Sequence, residues 1–221
     1  DGNPTSIICD KVMVVVGRKP NSKDMGLEVV GVELDEKGFV KVNDQMKTNV
    51  DHIYAIGDLV GNPMLAHKAM REAKVAAEVC SGMNVGFDNK VIPSVVFNDP
   101  ELVSVGMTEK EAKEKGFDYK VNKFPYVALG RAYMFDRTSG FIKMVVDSKT
   151  NVVLGVHAAG PHVSEIVAEA TLAIEMGATA EDLALTIHPH PTISEGLSEV
   201  ADVILEKAIH IYQIPKTKED K

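Results

Sequence analysis

The stretch "GFIKMVVDSKTNVVLGVHAAG", residues 140–160, indicates how the second half of this chain folds. Its two apolar runs, "GFIKMVVD" and "VVLGVHAAG", are rich in β-branched residues and are separated by turn-forming residues. That pattern predicts two strands with a turn between them. Further strand candidates, "VSVGM" (103–107) and "YKVNKFPY" (119–126), precede them. The sequence therefore predicts an antiparallel sheet.

Helical segments accompany these strands. A short helix is expected from Thr108, because Glu111 three residues later completes a capping box. Three more helices are expected at about residues 164–176, 180–185 and 194–209. We therefore predict an α+β unit, an antiparallel sheet with helices on it.

The expected helix at 164–176 is apolar around most of its circumference. Its core stripe is flanked by Leu172 and Met176, so the helix needs cover on two sides. A second subunit would provide that cover, and so would a fully enclosed core. From the residues alone, both interpretations remain open.

The first half of the chain has an α/β pattern. Short apolar runs at 12–16, 38–42 and 52–58 predict strands, the first of them a buried parallel strand. A helix is expected between Asn62–Pro63 and Gly82, because these are typical start and stop residues. Its apolar stripe consists mostly of small residues: Leu65, Ala69, Ala73, Ala76, Ala77 and Cys80. The composition changes near residues 91–93, where we place a domain boundary.

The amino-acid composition argues against several classes of function. The 221 residues carry a net charge of -8, which argues against nucleic acid as a partner. Cys9 and Cys80 are the only cysteines and suit a reducing compartment, so we expect a cytoplasmic protein. No apolar run approaches the ~18 residues of a membrane span, so no membrane association is expected. The first ten residues resemble neither a signal peptide nor the start of a domain.

The segment "TIHPHPTISEGLSEV", residues 186–200, holds the candidate catalytic residues. Prolines 189 and 191 favour extended backbone at His188 and His190. In one interpretation Glu195 only caps the last helix, in a capping box with Thr192. In another, Glu195 polarises His190, which then acts as a general base. A metal site would also need His157 or His162, and no second motif supports it, so no metal is predicted.

Four motifs resemble one family in its own order along the chain. "HPHPTISE" resembles the C-terminal signature of the flavin-dependent pyridine nucleotide–disulfide oxidoreductases, and "HIYAIGDLVGNPMLAHKA" resembles their second flavin-binding segment. "VMVVVGRKPN" resembles the end of their nicotinamide-binding domain, and "LGVHAAGPHVSEIVAEATLAIEMGATAEDLA" resembles their dimer interface. "PMLAHKA" is typical of the branch that oxidises dihydrolipoyl groups.

The resemblance implies an arrangement of domains. Residues 1–20 would be the tail of the nicotinamide (NAD)-binding domain, 21–91 a central segment that binds FAD, and 92–221 a dimerisation domain. The flavin and nicotinamide glycine fingerprints and the redox-active cysteine pair of the family are absent from the sequence. The chain thus resembles the C-terminal part of such an enzyme. By itself it should be inactive, with the first ~90 residues poorly supported.

The resemblance also implies roles for individual residues. His190 and Glu195 would form the base that activates a dihydrolipoyl thiol. Asp58 would accept a hydrogen bond from the flavin, and Gly57 would let the backbone approach it. Gly17 would lie beside the nicotinamide cofactor. The remaining expected flavin contacts are at the start of the alanine-rich helix: Met64, Leu65, Ala66 and His67.

Two functions of different class follow. In the first, the chain is part of an oxidoreductase that uses FAD and NAD, acts as a homodimer and serves lipoyl-bearing proteins of 2-oxoacid dehydrogenase or related complexes. A related flavoprotein disulfide reductase is a variant of this hypothesis. In the second, the chain acts alone as a non-catalytic dimerisation module.

Overall fold

The computed structural model describes residues 4–213, which form two compact units on either side of the Asp88–Asn89 bond. The first unit contains a 3₁₀ helix, Gly57–Val60, and one α-helix, α1 (Ala66–Cys80). Two isolated β-bridges, Leu34 with Val40 and Lys47 with Tyr54, tie its loops together. No helix within the described residues is long and apolar enough to span a membrane.

The three strands predicted in the first unit are wrong. Residues 12–16 form no strand, and they are 73–95% exposed. The runs at 38–42 and 52–58 contribute only one bridge residue each. A strand exists only if a neighbour accepts and donates its backbone hydrogen bonds. Within residues 4–88 the run at 12–16 has no such neighbour, and the other two runs are paired at only one bridge each.

Helix α1 begins later than predicted and buries a different face. Its N-cap is Leu65, whose extended backbone (φ −132°, ψ 136°) keeps Asn62 and Pro63 outside the helix. Its end is as predicted, with Gly82 just beyond it at φ +88°. The face buried within the first unit carries Lys68, Glu72 and Val75, whereas the predicted stripe of small residues is partly or wholly exposed.

The second unit is built on a five-stranded antiparallel sheet with strand order β1-β2-β5-β4-β3. The predicted antiparallel sheet is therefore confirmed. Strand β1 lies at one edge and β3 at the other. The strands are β1 (Ser94–Val96), β2 (Glu101–Gly106), β3 (Tyr119–Pro125), β4 (Phe141–Asp147) and β5 (Val153–Gly160).

Within residues 89–213, five α-helices and a 3₁₀ helix (Tyr126–Ala128) accompany the sheet, and four of the α-helices were predicted. The capping box of Thr108 and Glu111 is confirmed, with both of its hydrogen bonds present. The last helix ends at Ile204 rather than near residue 209, because Glu206 adopts left-handed backbone (φ +61°). The helices are α2 (Glu109–Glu114), α3 (Gly130–Met134), α4 (Val163–Met176), α5 (Ala180–Leu185) and α6 (Glu195–Ile204).

Helices α4 and α6 cover the sheet: α4 packs on β2 and β5, and α6 packs on β3 and β4. Phe124, Ile142 and Leu197 are completely buried in the resulting core. Gly196 allows α6 to approach β4 closely, since a Cβ there would lie 2.2 Å from Cδ1 of Ile142. This contact fixes the first turn of α6, which carries Glu195, against the sheet.

One flank of α4 is left uncovered within the described residues. Leu172 is 61% exposed and Met176 is 75% exposed, while Ile166 and Ala170 on the opposite flank are buried. The interpretation of α4 as a fully enclosed core helix is therefore wrong for the described residues. The exposed flank leaves apolar surface available to another subunit.

Candidate active site

The loop between α5 and α6 carries both histidines of the signature segment. The loop leaves α5 at Thr186, whose hydroxyl donates to the carbonyl of Asp182 at 2.7 Å. Further along, the Thr192 hydroxyl donates to the carbonyl of Pro189 at 2.7 Å. The hydroxyl groups at both ends of the loop are thus used to hold its backbone.

His190 and Glu195 meet as the sequence predicts. Nδ1 of His190 lies 2.7 Å from Oε1 of Glu195, and within residues 4–213 its Nε2 forms no hydrogen bond. The imidazole is 75% exposed, whereas the Glu195 side chain is only 19% exposed. A carboxylate that accepts from Nδ1–H places the lone pair of a neutral imidazole on Nε2. The exposed nitrogen is therefore the basic one.

Glu195 also performs half of the predicted capping box. Its second oxygen, Oε2, accepts from the backbone N–H of Thr192 at 2.7 Å. The other half of the box is wrong, because the Thr192 hydroxyl bonds to Pro189 and Ser194 and the helix begins after Ser194. One carboxylate thus holds both the imidazole and the start of α6. The two interpretations of Glu195 are compatible.

His188 has a partner that the sequence did not predict. Its Nε2 lies 2.7 Å from Oε1 of Glu169 on α4, and its Nδ1 lies 2.9 Å from the carbonyl oxygen of Thr186. The imidazole is only 5% exposed. Glu169 precedes His188 by 19 residues, so no local spacing rule relates the two side chains.

The predicted flavin contacts Gly57 and Asp58 form a turn held from two directions. Oδ2 of Asp58 accepts from the Arg18 guanidinium at 2.9 Å, and Arg18 also donates to the carbonyl of Met64. Gly57 adopts φ +75°, a left-handed conformation that favours glycine. The second carboxylate oxygen of Asp58 makes no hydrogen bond within the described residues, so it can still accept one from a hydroxyl group.

A buried ion pair fixes the same turn to α1. Lys68 and Glu72 are 7% and 4% exposed, and their side chains meet at 2.8 Å. The other oxygen of Glu72 accepts from the backbone N–H of Gly57 at 2.7 Å. The Lys68 ammonium also donates to the carbonyls of Gly57 and Gly61, at 3.4 and 3.2 Å. All three donors of the ammonium are therefore used.

The N-terminus of α1 provides the remaining predicted flavin contacts. Leu65 precedes the first turn and makes no side-chain cap, and Ala66 and His67 are exposed. A helix N-terminus without a side-chain cap offers backbone N–H groups and a positive dipole end to an electron-rich group. Gly17 is not packed against other residues in this way, since a Cβ placed there would have no neighbouring atom within 4 Å.

The other histidines that a metal site would need point to other partners. Nδ1 of His157 bonds to the Ser104 hydroxyl at 2.8 Å, and its Nε2 bonds to the Met107 carbonyl at 3.0 Å. Burial lowers the pKa of His157 below its ordinary value. His162 packs against the ring of Phe135. Among residues 4–213, no three His, Cys, Asp or Glu side chains lie close enough to hold a metal ion.

Two protein-family models match the chain. The model of the pyridine nucleotide-disulphide oxidoreductase dimerisation domain matches residues 92–201, and the general model of the pyridine nucleotide-disulphide oxidoreductases matches residues 1–73. The chain belongs to the pyridine nucleotide-disulphide oxidoreductase family. Its second unit thus contains the dimerisation domain of that family.

Several relatives in the family share the name dihydrolipoyl dehydrogenase. The protein of that name from Thermus scotoductus is 52% identical over 210 residues, and the one from Bacillus subtilis is 47% identical over 210 residues. Each alignment covers 95% of this chain and 45% of the relative. The chain therefore spans a little less than half the length of these curated relatives.

Two solved structures have the same fold as this chain over most of its length. The HOCl-induced flavoprotein disulfide reductase RclA from Escherichia coli superposes with a TM-score of 0.81 at 29% identity, over 85% of this chain and 44% of RclA. LpdA from Mycobacterium tuberculosis superposes with a TM-score of 0.79 at 27% identity, over 84% of this chain and 41% of LpdA.

Proposed function

We propose that this chain is the C-terminal part of an FAD-dependent dihydrolipoyl dehydrogenase, which oxidises dihydrolipoyl groups with NAD⁺. The proposal rests on the exposed imidazole of His190, held at 2.7 Å by the shielded carboxylate of Glu195. The relatives named dihydrolipoyl dehydrogenase, at 47–52% identity, support the same activity. The chain would contribute the base, part of the flavin site and the dimer interface.

In this proposal His190 acts on the substrate thiol. Nε2 takes a proton from a dihydrolipoyl thiol, and the resulting thiolate attacks the disulfide of the complete enzyme. Glu195 keeps the hydrogen of the neutral imidazole on Nδ1 and stabilises the imidazolium that forms. The imidazolium then has a proton to return to the leaving sulfur.

The residues of the first unit are suited to a flavin. A free lone pair on Asp58, a Gly57 backbone without a side chain and an uncapped helix N-terminus at Leu65–Ala66 match its hydroxyl groups and its electron-rich edge. When bound, the flavin would carry electrons between the disulfide and the nicotinamide. Gly17 remains a predicted contact of the nicotinamide cofactor on sequence resemblance alone.

The dimerisation domain supports a homodimer. We infer that the exposed flank of α4, with Leu172 and Met176, contributes to the subunit contact, because burying apolar side chains stabilises association. The expected partners of the complete enzyme are lipoyl-bearing proteins of 2-oxoacid dehydrogenase or related complexes, and the expected location is the cytoplasm.

Replacing His190 with glutamine in the complete enzyme tests the proposal. Loss of the base should lower dihydrolipoamide-dependent turnover by about 100-fold or more. Flavin absorption and dimer formation should not change, because His190 is exposed and, within residues 4–213, its ring hydrogen-bonds only to Glu195. Turnover close to that of the wild type would refute the assigned role.

A stand-alone dimerisation module remains the alternative, because the second unit already has a complete sheet and its own buried core. Flavin absorption distinguishes the two functions. If the 221-residue chain, purified with excess FAD, is yellow after gel filtration, its first unit binds flavin and the enzyme hypothesis is supported. A colourless dimer of this chain would support the module.

A further inference from the structure

His188 holds the catalytic loop to α4, the helix with the uncovered apolar flank. Its ring is almost completely shielded, and both ring nitrogens have partners: Glu169 at 2.7 Å and the Thr186 carbonyl at 2.9 Å. A carbonyl oxygen can only accept, so Nδ1 is the donor to Thr186. His188 therefore joins a side chain of α4 to the backbone of the loop.

The base lies between two such attachments. His188 fixes the loop before His190 to α4, and Glu195 fixes it after His190 to α6 through Thr192. Within the described residues, the His190 ring forms a hydrogen bond only with Glu195. The position of the ring thus depends on backbone that is held at both ends.

We propose that Glu169 is a positioning residue that acts through His188 to keep His190 in line with its substrate thiol. This inference rests on the proposed function. A general base has to lie within about 0.5 Å of its productive position, which requires a rigid supporting shell. Without Glu169, Nε2 of the shielded imidazole loses its hydrogen-bond partner, and the loop has to move for that nitrogen to reach water.

The chain provides both a conservative variant and a matched control. Glu169→Ala removes the partner of His188. Glu169→Gln keeps a side chain of the same length, whose amide offers both a donor and an acceptor to Nε2. Glu165→Ala removes a carboxylate one turn earlier on α4, where the side chain is exposed.

The measurements, made on the complete enzyme, separate thiol chemistry from other properties. We expect Glu169→Ala to lower dihydrolipoamide-dependent turnover by about 10- to 100-fold. Electron transfer from NADH to ferricyanide, which does not require the base, should stay at the wild-type rate, as should dimer formation by sedimentation. Glu169→Gln should restore most of the lost turnover, and Glu165→Ala should behave as wild type.

A double variant tests whether Glu169 acts through His188. If it does, Glu169→Ala combined with His188→Ala should lose no more turnover than His188→Ala alone. Losses that multiply would overturn the proposal. So would near-normal thiol turnover in Glu169→Ala, or an equal loss of the ferricyanide reaction and of the dimer, which would show a merely structural role.

His190→Gln, measured alongside, keeps this inference separate from the proposed function. If His190→Gln is inactive with thiols but Glu169→Ala is normal, only the positioning role fails. If His190→Gln retains thiol turnover, the proposed function itself fails.

Discussion

Replacing Glu195 with glutamine separates the two hydrogen bonds that this carboxylate makes. The wild-type side chain accepts from Nδ1 of His190 with one oxygen and from the Thr192 N–H with the other, both at 2.7 Å. Glutamine has a single acceptor oxygen. If that oxygen stays with Thr192, the amide N–H₂ faces Nδ1 and forces the ring hydrogen onto Nε2. The exposed nitrogen then has no lone pair with which to accept a proton.

The size of the effect follows from the lost bond. A hydrogen bond to a charged group contributes about 1.5–3 kcal/mol, and about 1.4 kcal/mol corresponds to a factor of ten in rate. We therefore expect Glu195→Gln to lower thiol-dependent turnover by about 10- to 100-fold. The accompanying loss of stability should be small, because glutamine can still accept from Thr192.

The assay is the reduction of the complete enzyme by dihydrolipoamide, followed by flavin absorbance in a stopped-flow instrument. Glu111→Gln is the matched control, because Glu111, like Glu195, accepts the backbone N–H of a threonine three residues earlier. Within residues 4–213 Glu111 makes no hydrogen bond to a histidine. Both variants should show a similar change in melting temperature, and only Glu195→Gln should slow the reaction. If Glu195→Gln lowers the melting temperature but leaves the reaction within twofold of wild type, Glu195 is only a helix cap.

Three further predictions concern stability. Gly155→Ala should lower the free energy of unfolding in urea by about 1–3 kcal/mol or more, because the new Cβ would lie 2.1 Å from the Met107 carbonyl oxygen. An unfolding midpoint equal to that of the wild type would contradict this packing. Burial lowers the pKa of His157 below 6.5, so the unfolded chain binds the proton first as the pH falls and the free energy of unfolding decreases with it. His157→Gln should flatten that decrease as the pH falls below about 6.5. An unchanged slope would assign the decrease to other groups. Lys68→Met leaves Glu72 buried without its cation and should lower the free energy of unfolding by about 3–5 kcal/mol. A decrease below about 1 kcal/mol would mean that the pair is solvated.

The sequence predicted the second unit well because its signals are local. Apolar runs rich in β-branched residues mark the β4 and β5 strands, and the box of Thr108 and Glu111 marks α2. Helix α3 was missed because its five residues are too few for a helical period, and its N-cap, Leu129, makes no side-chain cap. The sequence pattern therefore does not predict elements that depend on long-range packing.

In the first unit, local sequence signals predicted the structure poorly. The valine-rich run at 12–16 has strong strand propensity, but no neighbour within residues 4–88 pairs with it. The residue types of Lys68 and Glu72 predict exposed side chains. The two are nevertheless buried, because they neutralise each other and bind Gly57. Charge pairing and strand pairing are both properties of tertiary structure.

The candidate site was predictable to the extent that its partners are close in sequence. Glu195 follows His190 by five residues on a constrained loop, so their contact could be anticipated. Only half of the predicted capping box of Thr192 forms, because the Thr192 hydroxyl donates to the Pro189 carbonyl instead. Glu169 could not be anticipated, since only the packing of α4 beside the loop brings it to His188.

The uncovered run at residues 12–16 will affect how the isolated chain behaves in a test tube. Four of its five side chains are valines and none carries a charge, so the backbone of one copy can pair with the same run of another and seed aggregates. Light scattering should accompany any spectrum of the purified chain, because turbidity raises the baseline beneath a weak yellow band. A lysine in place of Val14 would act as a gatekeeper and keep the preparation clear.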